Sequence, residues 1–326
     1  MRLVLTLLLA CLATAALAQE VMKERWQREG WRTDFSRMMV EPIEIRAGGP
    51  PRDGIPPIDE PRFVPVTGHD ELSPKESVIA FAHDGDARAY PLRILMWHEI
   101  VNDVVGGKPV VVTYCPLCNA AIVFDARVNG TAHTFGTTGK LRKSDLIMYD
   151  RATDSWWQQF SGEAIAGAMT GKRLTFLPAR LMSWQAFASA HPDGKVLVPD
   201  DPGRRDYGRN PYVGYDRSDR PFLYDGSMPD GIEPMARVVV VRTDSDAMPL
   251  VVALDHLASK GELTLDDVRL RWQPGRVSAL DDARVDGGRD VGSIETTRDG
   301  RPVPHDLTFA FVAHAFHPQA RIVQGR

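Results

Sequence analysis

The sequence predicts a strand-rich α+β protein built from two degenerate tandem copies of a strand-hairpin-helix unit. Two observations predict this fold class. Short apolar runs bounded by turn signals alternate with a few segments of helical spacing. Several segments of the first half also recur, in the same order, in the second half.

The first residues, MRLVLTLLLACLATAALAQE, have the pattern of a signal peptide. Arg2 precedes an apolar run, from Leu3 to about Leu9, that is too short to cross a bilayer, and Ala16-Leu17-Ala18 is a small-x-small cleavage signal. We therefore predict a signal peptide over residues 1–18 and a periplasmic or secreted protein. The alternative is a lipoprotein anchored through Cys11, because Leu8-Leu9-Ala10-Cys11 resembles a lipobox.

The charge balance argues against several kinds of partner. There are 39 Lys and Arg against 43 Asp and Glu, so no basic surface suited to nucleic acid or an anionic membrane is expected. No later segment has the length of apolar sequence that a transmembrane helix needs. The expected partner is a metal ion or a small periplasmic partner.

Four regions follow the signal peptide. Residues 19–60 form an N-terminal arm, amphipathic at first and then rich in Gly and Pro. Residues 61–199 form a first-half unit and residues 236–326 a second-half unit that contains no cysteine. Between them, residues 200–235 are rich in Arg, Tyr, Gly and Pro and lack periodicity, which predicts a packed connecting segment, here called the wrap.

The first-half unit contains recognisable local signals. SVIAFAHDGDARAYPL (77–92) predicts two strands joined at Asp84-Gly85, and RILMWHEIVNDVVGG (93–107) predicts a helix that ends on glycines. KPVVVTY (108–114) and NAAIVFD (119–125) are predicted strands, and VNGTAHTFG (128–136) contains an Asn129-Gly130 hairpin turn.

The internal repeat consists of three matches. ARAYPLRILMWHEI (87–100) matches SDAMPLVVALDHLA (245–258), which aligns Ala89 with Ala247 and His98 with His256. DARVNG (125–130) matches DARVDG (282–287), and FASAHPDGKVLV (187–198) matches VAHAFHPQARIV (312–323). The second copy has Trp272 and Gly275 where the first has Cys115 and Cys118, so the chemistry is expected in the first half.

The sequence TYCPLCNAAIVFD (113–125) holds the two cysteines of the predicted mature chain, Cys115 and Cys118. A strand, not a helix, is predicted after Cys118, so the helix dipole that lowers a thiol pKa is missing. A Cys-x-x-Cys turn between strands is typical of a metal knuckle. Asn119 tolerates the positive φ that such a turn often requires after its second cysteine.

A metal site here needs further ligands. His98, on the element before the strand that ends in Cys115, is the best third candidate beside Cys115 and Cys118. Two thiolates and an imidazole suit copper or zinc, and Met148 is a candidate axial ligand to copper. The alternative for His98 is a helix-end histidine bonded to a backbone carbonyl, which the presence of His256 without cysteines favours.

Two other functions compete with metal binding. A thiol–disulfide oxidoreductase would use Cys115 as nucleophile and Cys118 as resolving thiol, with Glu99 as acid–base group. A non-catalytic binding protein would hold the pair as a structural disulfide. The segment unique to the first half also offers polar candidates for a pocket wall, namely Asp145, Tyr149, Asp150 and Arg151.

Six motifs in order resemble a bacterial family catalogued as domain of unknown function 3179. They are GGPPRDGIPPIDEPRFV, ARAYPL, WHEIVND, VVTYCPLC, FGTTGKLRKSDLIMYDRATDSWWQQFSGEAIAG and RDYGRNPYVGYD. The resemblance runs from about Gly48 to the C-terminus. Asn119 departs from the glycine that members typically have after the second cysteine. The resemblance implies an exported protein and no established activity.

Overall fold

The computed structural model describes residues 17–242 and 248–325. Cys11, Ala247 and all but the last two residues of the predicted signal peptide therefore lie outside the described residues. Within the described part of the chain, no helix combines the length and the apolar character needed to span a membrane.

The first half consists of short strands with three helices. The helices are α1 (17–28), α2 (Leu92–His98) and α3 (Trp184–Ala190). The strands are β1 (Ile45–Ala47), β2 (Arg62–Pro65), β3 (Ser77–His83), β4 (Asp86–Pro91), β5 (Ile100–Val105), β6 (Lys108–Cys115), β7 (Ala120–Asp125), β8 (Arg127–Val128), β9 (Thr131–Ala132), β10 (Phe135–Arg142), β11 (Asp145–Asp150), β12 (Trp156–Gln158), β13 (Ala164–Ala166), β14 (Thr175–Leu177), β15 (Arg180–Ser183) and β16 (Lys195–Val198).

The second half follows the wrap and also consists of short strands with a few short helices. Its helices are α4 (Leu254–Lys260) and α5 (Ala310–Phe316). Its strands are β17 (Arg237–Val241), β18 (Leu250–Ala253), β19 (Glu262–Leu265), β20 (Val268–Gln273), β21 (Ser293–Arg298), β22 (Arg301–Pro302), β23 (His305–Phe309) and β24 (Ile322–Val323). Short 3-10 helices lie at Pro42–Glu44 and Tyr215–Arg217. The predicted strand-rich α+β class is confirmed.

Within the described residues, the strands form five larger sheets and a small β8-β9 hairpin. Three sheets belong to the first half, with the orders β1-β10-β11-β12-β13, β14-β7-β6-β5 and β15-β3-β4-β16-β2. Two belong to the second half, with the orders β23-β17-β18-β24 and β19-β20-β21-β22. One hydrophobic core contains residues of both halves, including Cys115, Cys118, Val238 and Phe309, so the cysteines lie within the main core.

The predicted turns are confirmed. Asp84 and Gly85 have φ of 47° and 78° between β3 and β4, and Asn129 and Gly130 have φ of 52° and 83° between β8 and β9. Positive φ at both central residues matches the twist of the flanking strands, and Gly, Asn and Asp reach it at the lowest cost. Strand β7 also follows the cysteine turn as expected.

The helix predicted over 93–107 is wrong in its second half. Helix α2 ends at His98, and Ile100–Val105 instead pairs antiparallel with β6. The strand contains four β-branched residues, Ile100, Val101, Val104 and Val105, which favour the pleated sheet over a helix. The early end of α2 leaves Glu99 alone between a helix and a strand.

Two of the sheets share one pattern of pairing. In β15-β3-β4-β16 and in β23-β17-β18-β24 the first three strands are antiparallel neighbours and the fourth pairs parallel with the third. A helix follows the first and the third strand in both, namely α3 and α2 in one and α5 and α4 in the other. These shared orders support the predicted repeat, while the duplication itself stays a prediction.

The register predicted for the repeat needs correction. Helices α2 and α4 end at His98 and Lys260, and each is followed by a C-cap residue with positive φ, Glu99 and Gly261. An alignment on these helix ends therefore pairs His98 with Lys260, not with His256. The match of DARVNG with DARVDG falls on different elements, because one follows β7 and the other lies between β20 and β21. By contrast, His191 and His317 both follow a seven-residue helix with nearly identical backbone angles.

Candidate functional site

The cysteine turn, residues 115–118, connects β6 to β7. It closes through hydrogen bonds from Cys118 N to Cys115 O (3.2 Å) and from Asn119 N to Pro116 O (3.1 Å). Asn119 has a φ of 51°, in agreement with the positive φ expected at this position. The turn therefore bends both thiols to the same side without a following helix.

Strand β23 of the second half holds this turn from outside. Thr308 Oγ1 donates to Cys118 O at 2.7 Å, and Asn119 Nδ2 donates to Leu307 O at 3.0 Å. Since these groups are buried, their hydrogen bonds fix the position of the turn in the core. The second half thus supports the site without contributing an ionisable side chain to it.

A second tight turn faces the cysteines. Between β10 and β11, Lys143 and Ser144 have φ of 55° and 66°, values that neither residue type adopts readily. The turn directs the Ser144 carbonyl oxygen to 3.5 Å from Cys118 Sγ and 3.9 Å from Cys115 Sγ, where it accepts from the thiols. It also brings Asp145, the first residue of β11, next to the sulfurs.

Cys115, Cys118 and Asp145 form a compact group of potential metal ligands. One ligand atom from each lies within 4.8 Å of the others, and all three residues are buried. Asp145 Oδ2 accepts from Gln158 Nε2 (2.6 Å) and from Phe160 N (2.8 Å). Its Oδ1 is buried and accepts no hydrogen bond from a nitrogen or oxygen donor among the described residues, and the neighbouring Cys118 and Cys115 thiols lower the Asp145 pKa through their hydrogen bonds, against the larger effect of burial. This oxygen therefore faces the two sulfurs, where a cation would bind.

Burial makes the charged forms of this group costly. It raises the pKa of Asp145 to about 6, against the effect of the bonds from Phe160 and Gln158. It also raises the pKa of the Cys115 and Cys118 thiols, which are free and not joined in a disulfide in this structure. A cation between the three groups would reverse these shifts, because it compensates the charges that burial disfavours.

His98 lies outside this group. Its Nδ1 contacts Pro56 O at 2.7 Å and its Nε2 contacts Tyr207 OH at 2.8 Å, and its ring stacks on the ring of Tyr207. Burial lowers the His98 pKa. Both ring nitrogens are therefore engaged elsewhere, as in the alternative of a helix-end histidine bonded to a carbonyl. Asp145, not His98, is the third group near the sulfurs.

The other residues that the sequence suggested for the site lie away from the two cysteines. Met148 is fully buried in the core. Tyr149 OH donates to Asp53, and Arg151 pairs with Asp59 at 2.7 Å. Asp150 accepts from Trp157 Nε1 at 2.9 Å and contacts His133. Of the polar residues proposed in the 145–151 segment, only Asp145 reaches the cysteines.

Glu99 has an unusual conformation at the end of α2. Its φ of 57° is strongly disfavoured for a residue with a long side chain, and strain of this kind costs on the order of 1–3 kcal/mol. Its side chain is buried, with 8% exposure, and no hydrogen bond contributes to the pKa shift of its carboxyl group. Burial, and then the charge of Asp145, raise the Glu99 pKa to about 8.

Glu99 faces a cavity of about 520 Å³, here called the site cavity. Leu117, from the cysteine turn, and Leu146, which follows Asp145, line its inner side. The full lining comprises Gly48, Pro50, Ile55, Glu99, Leu117, Gly139, Lys140, Leu141, Leu146, Pro211, Tyr212, Val213, Gly214, Tyr215, Ser218 and Phe222. The two cysteines do not line it, so their sulfurs lie behind its wall.

The wrap closes the outer side of the site cavity. Tyr215 OH donates to Leu117 O at 3.1 Å, which ties the wrap to the cysteine turn. Ser144 Oγ donates to Phe222 O, which ties it to the opposite turn. Composition alone indicated a packed segment here, but no sequence signal showed that it would cover the cysteines.

Comparison with known proteins identifies the family and no closer relative. No curated protein and no solved structure matches the chain. One family model, described as a protein of unknown function (DUF3179), matches residues 52–320. This range contains the cysteine turn, the turn at Lys143 and Ser144, and the wrap, and it covers most of the chain. The chain therefore belongs to the DUF3179 family.

Proposed function

We propose that this protein is an exported metal-binding protein that holds one soft or borderline transition metal ion through Cys115, Cys118 and Asp145. One observation carries the proposal: three potential ligand atoms, from Cys115, Cys118 and Asp145, lie within 4.8 Å of one another in the core. Export rests on the signal-peptide pattern of residues 1–18.

Of the two metals expected from the sequence, the ligands favour zinc. Zinc binds thiolate sulfur and carboxylate oxygen together, whereas Cu(I) prefers soft ligands and gains little from a carboxylate. Three protein ligands leave a position for a further group, which is the arrangement of catalytic zinc sites. Gln158 and the Phe160 N–H would then orient the Asp145 carboxylate by holding its other oxygen.

Metal content tests this proposal directly. Full-length protein is exported, purified without chelator and analysed by inductively coupled plasma mass spectrometry, with free thiols counted on the same sample. We expect about one zinc per chain, and its loss in Cys115→Ser and Cys118→Ser. Asp145→Asn should weaken binding at least tenfold. Asp154→Asn is the matched control, because Asp154 is equally buried but pairs with Arg32 and Arg52.

A metal-free protein with both thiols oxidised would contradict metal binding and favour the second candidate, a thiol–disulfide oxidoreductase. Asp145 is the observation in its favour, since a carboxylate beside the two thiols can accept the proton that a thiol loses on attack. In that reaction the Cys115 thiolate would attack a partner's disulfide and Cys118 would displace the partner as a dithiol, so the pair gives two electrons to the partner and becomes a disulfide. The buried sulfurs count against it, because Cys115 is 2% exposed and Cys118 0%.

We also infer that the two halves are degenerate copies of one unit, of which only the first kept a site. The shared strand order and the equivalence of Glu99 with Gly261 support this inference. In the second copy the tight cysteine turn is replaced by the longer connection between β20 and β21. The second half would then serve as a scaffold for the first.

A further inference from the structure

The site cavity contains a carboxyl group that the metal proposal does not use. Glu99 lines the cavity and is 8% exposed, and burial and the charge of Asp145, not a hydrogen bond, determine the pKa of its carboxyl group. A carboxyl group that opens into a cavity can take its hydrogen-bond partner from a ligand bound there. Glu99 is also outside the group formed by Cys115, Cys118 and Asp145.

The second half shows that the fold does not need a glutamate at this position. Gly261 ends α4 with φ 72° and ψ −36°, and Glu99 ends α2 with φ 57° and ψ −31°. Glycine reaches this conformation without the strain that a side chain adds. Glutamate at position 99 therefore carries backbone strain that glycine would avoid. We attribute its presence there to a role of its carboxyl group.

We propose that the site cavity binds a small organic amine, with the ammonium group on Glu99 and the apolar body of the molecule against the cavity walls. This inference goes beyond metal binding and does not depend on it. The cavity volume of about 520 Å³ lies in the range of small-molecule sites.

An amine fits this end of the cavity better than an anion or a neutral alcohol, because Glu99, whose pKa is raised to about 8, gives up its proton when an ammonium group pairs with its carboxylate. Asp145 lies near enough for its charge to act on Glu99, so the inner end of the cavity is acidic. Lys140 is the one cationic residue in the lining, and its Nζ is already paired with Glu29 at 2.6 Å. A divalent metal on two thiolates and one carboxylate would leave this end negative, so the preference for a cation holds with or without metal.

The walls suit the rest of an amine ligand. Tyr212, Tyr215 and Phe222 bring aromatic rings to the cavity, and ring faces attract ammonium groups as well as apolar carbon. Tyr212 is near Glu99, whose charge adds to burial in raising the Tyr212 pKa. Phe222 is 55% exposed and lies on the outer side, where it would cover the far end of the ligand.

Isothermal titration calorimetry with matched probes tests the proposal on the full chain. The probes are 2-phenylethylamine, hexylamine, 2-phenylethanol and 3-phenylpropanoate. We expect one amine per chain, bound at least tenfold more tightly than the alcohol, and no binding of the carboxylate. Glu99→Gln should reduce the amine-to-alcohol ratio to about one. Equal affinity for amine and alcohol, or no amine binding at millimolar concentration, would overturn the proposal.

Two further variants localise the binding. Glu60→Gln is the matched control, because Glu60 lines a different, acidic pocket together with Asp59 and Asp103 and should not affect binding. Phe222→Ala changes an exposed residue and should fold normally. This substitution should weaken the binding of the amine and of the alcohol several-fold, and by a similar factor for both. If Glu60→Gln removes amine binding while Glu99→Gln keeps it, the ligand binds in the other pocket and the proposal is wrong.

Discussion

The Thr308 hydroxyl donates a 2.7 Å hydrogen bond to the carbonyl oxygen of Cys118, across 190 residues of sequence. Both groups are buried, so neither can exchange this partner for water. The bond links the second half of the chain directly to the residue that carries one of the two sulfurs.

Thr308→Val should therefore destabilise the protein by ~1–3 kcal/mol, because the Cys118 carbonyl loses its donor while the side chain keeps its shape. Metal affinity should fall and the stoichiometry should stay the same. Urea denaturation and a zinc competition titration measure the two effects. Thr131→Val, at an exposed hairpin position, is the control and should change neither. Wild-type stability in Thr308→Val would show that the second half does not hold the turn.

His98→Phe separates a structural histidine from a metal ligand. Phenylalanine can keep the ring stacking on Tyr207 but loses both hydrogen bonds, to Pro56 O and to Tyr207 OH. We expect a loss of ~1–3 kcal/mol in the free energy of unfolding. Metal content should stay at the wild-type level in mass spectrometry. If the folded variant lost the metal, this would instead show that His98 is a metal ligand.

Glu99 should make the stability of the metal-free protein depend on pH. Its pKa of about 8 in the folded state is above its usual value of 4.5, so the folded protein holds this proton more tightly than the unfolded chain. The resulting stabilisation is complete below pH 4.5 and is lost as the pH rises through 8, by at most ~5 kcal/mol. Denaturation at pH 4 to 9 should show a larger fall in wild type than in Glu99→Gln, which keeps only the fall at lower pH that Asp145 causes through its own raised pKa of about 6. Parallel curves for the two proteins would contradict it.

Asn119→Ala should lower the free energy of unfolding more than Asn129→Ala, the same change at an ordinary hairpin turn. Asn119 and Asn129 have φ of 51° and 52°, so alanine meets the same backbone strain at both. Only Asn119 also donates to Leu307 O, and losing that bond should add ~1 kcal/mol. Thermal unfolding of the two variants measures the difference. Asn119→Gly should fall between wild type and Asn119→Ala, and equal costs at Asn119 and Asn129 would show that the Leu307 bond contributes nothing.

Local features of this fold could be predicted because a few neighbouring residues determine them. The turns at Asp84-Gly85 and Asn129-Gly130 and the backbone at Asn119 follow from the conformations that Gly, Asn and Asp tolerate. The prediction of a helix over 93–107 was wrong because pairing with another strand determined the structure of its second half. Ile100–Val105 has apolar spacing compatible with a helix, but it gains a strand partner in β6.

The site was only partly predictable, because its groups come from distant parts of the chain. Cys115 and Cys118 are visible as a spacing, but Asp145 reaches them only through the turn at Lys143 and Ser144. Neither of these two residues is a glycine, so the sequence lacks the usual signal for a turn with positive φ. His98 was favoured for its position before β6, yet Pro56 and Tyr207 engage its ring from elsewhere in the chain.

The anchoring of the cysteine turn by β23 also sets an order of events during synthesis. The ribosome releases Cys118 190 residues before Thr308, an interval of roughly 10–40 s at ordinary rates of translation. Throughout that time the growing chain lacks the strand that holds the turn in place. The pair of thiols therefore lacks its full covering until β23 has joined the core, and up to that point a metal ion or an oxidant can reach both sulfurs.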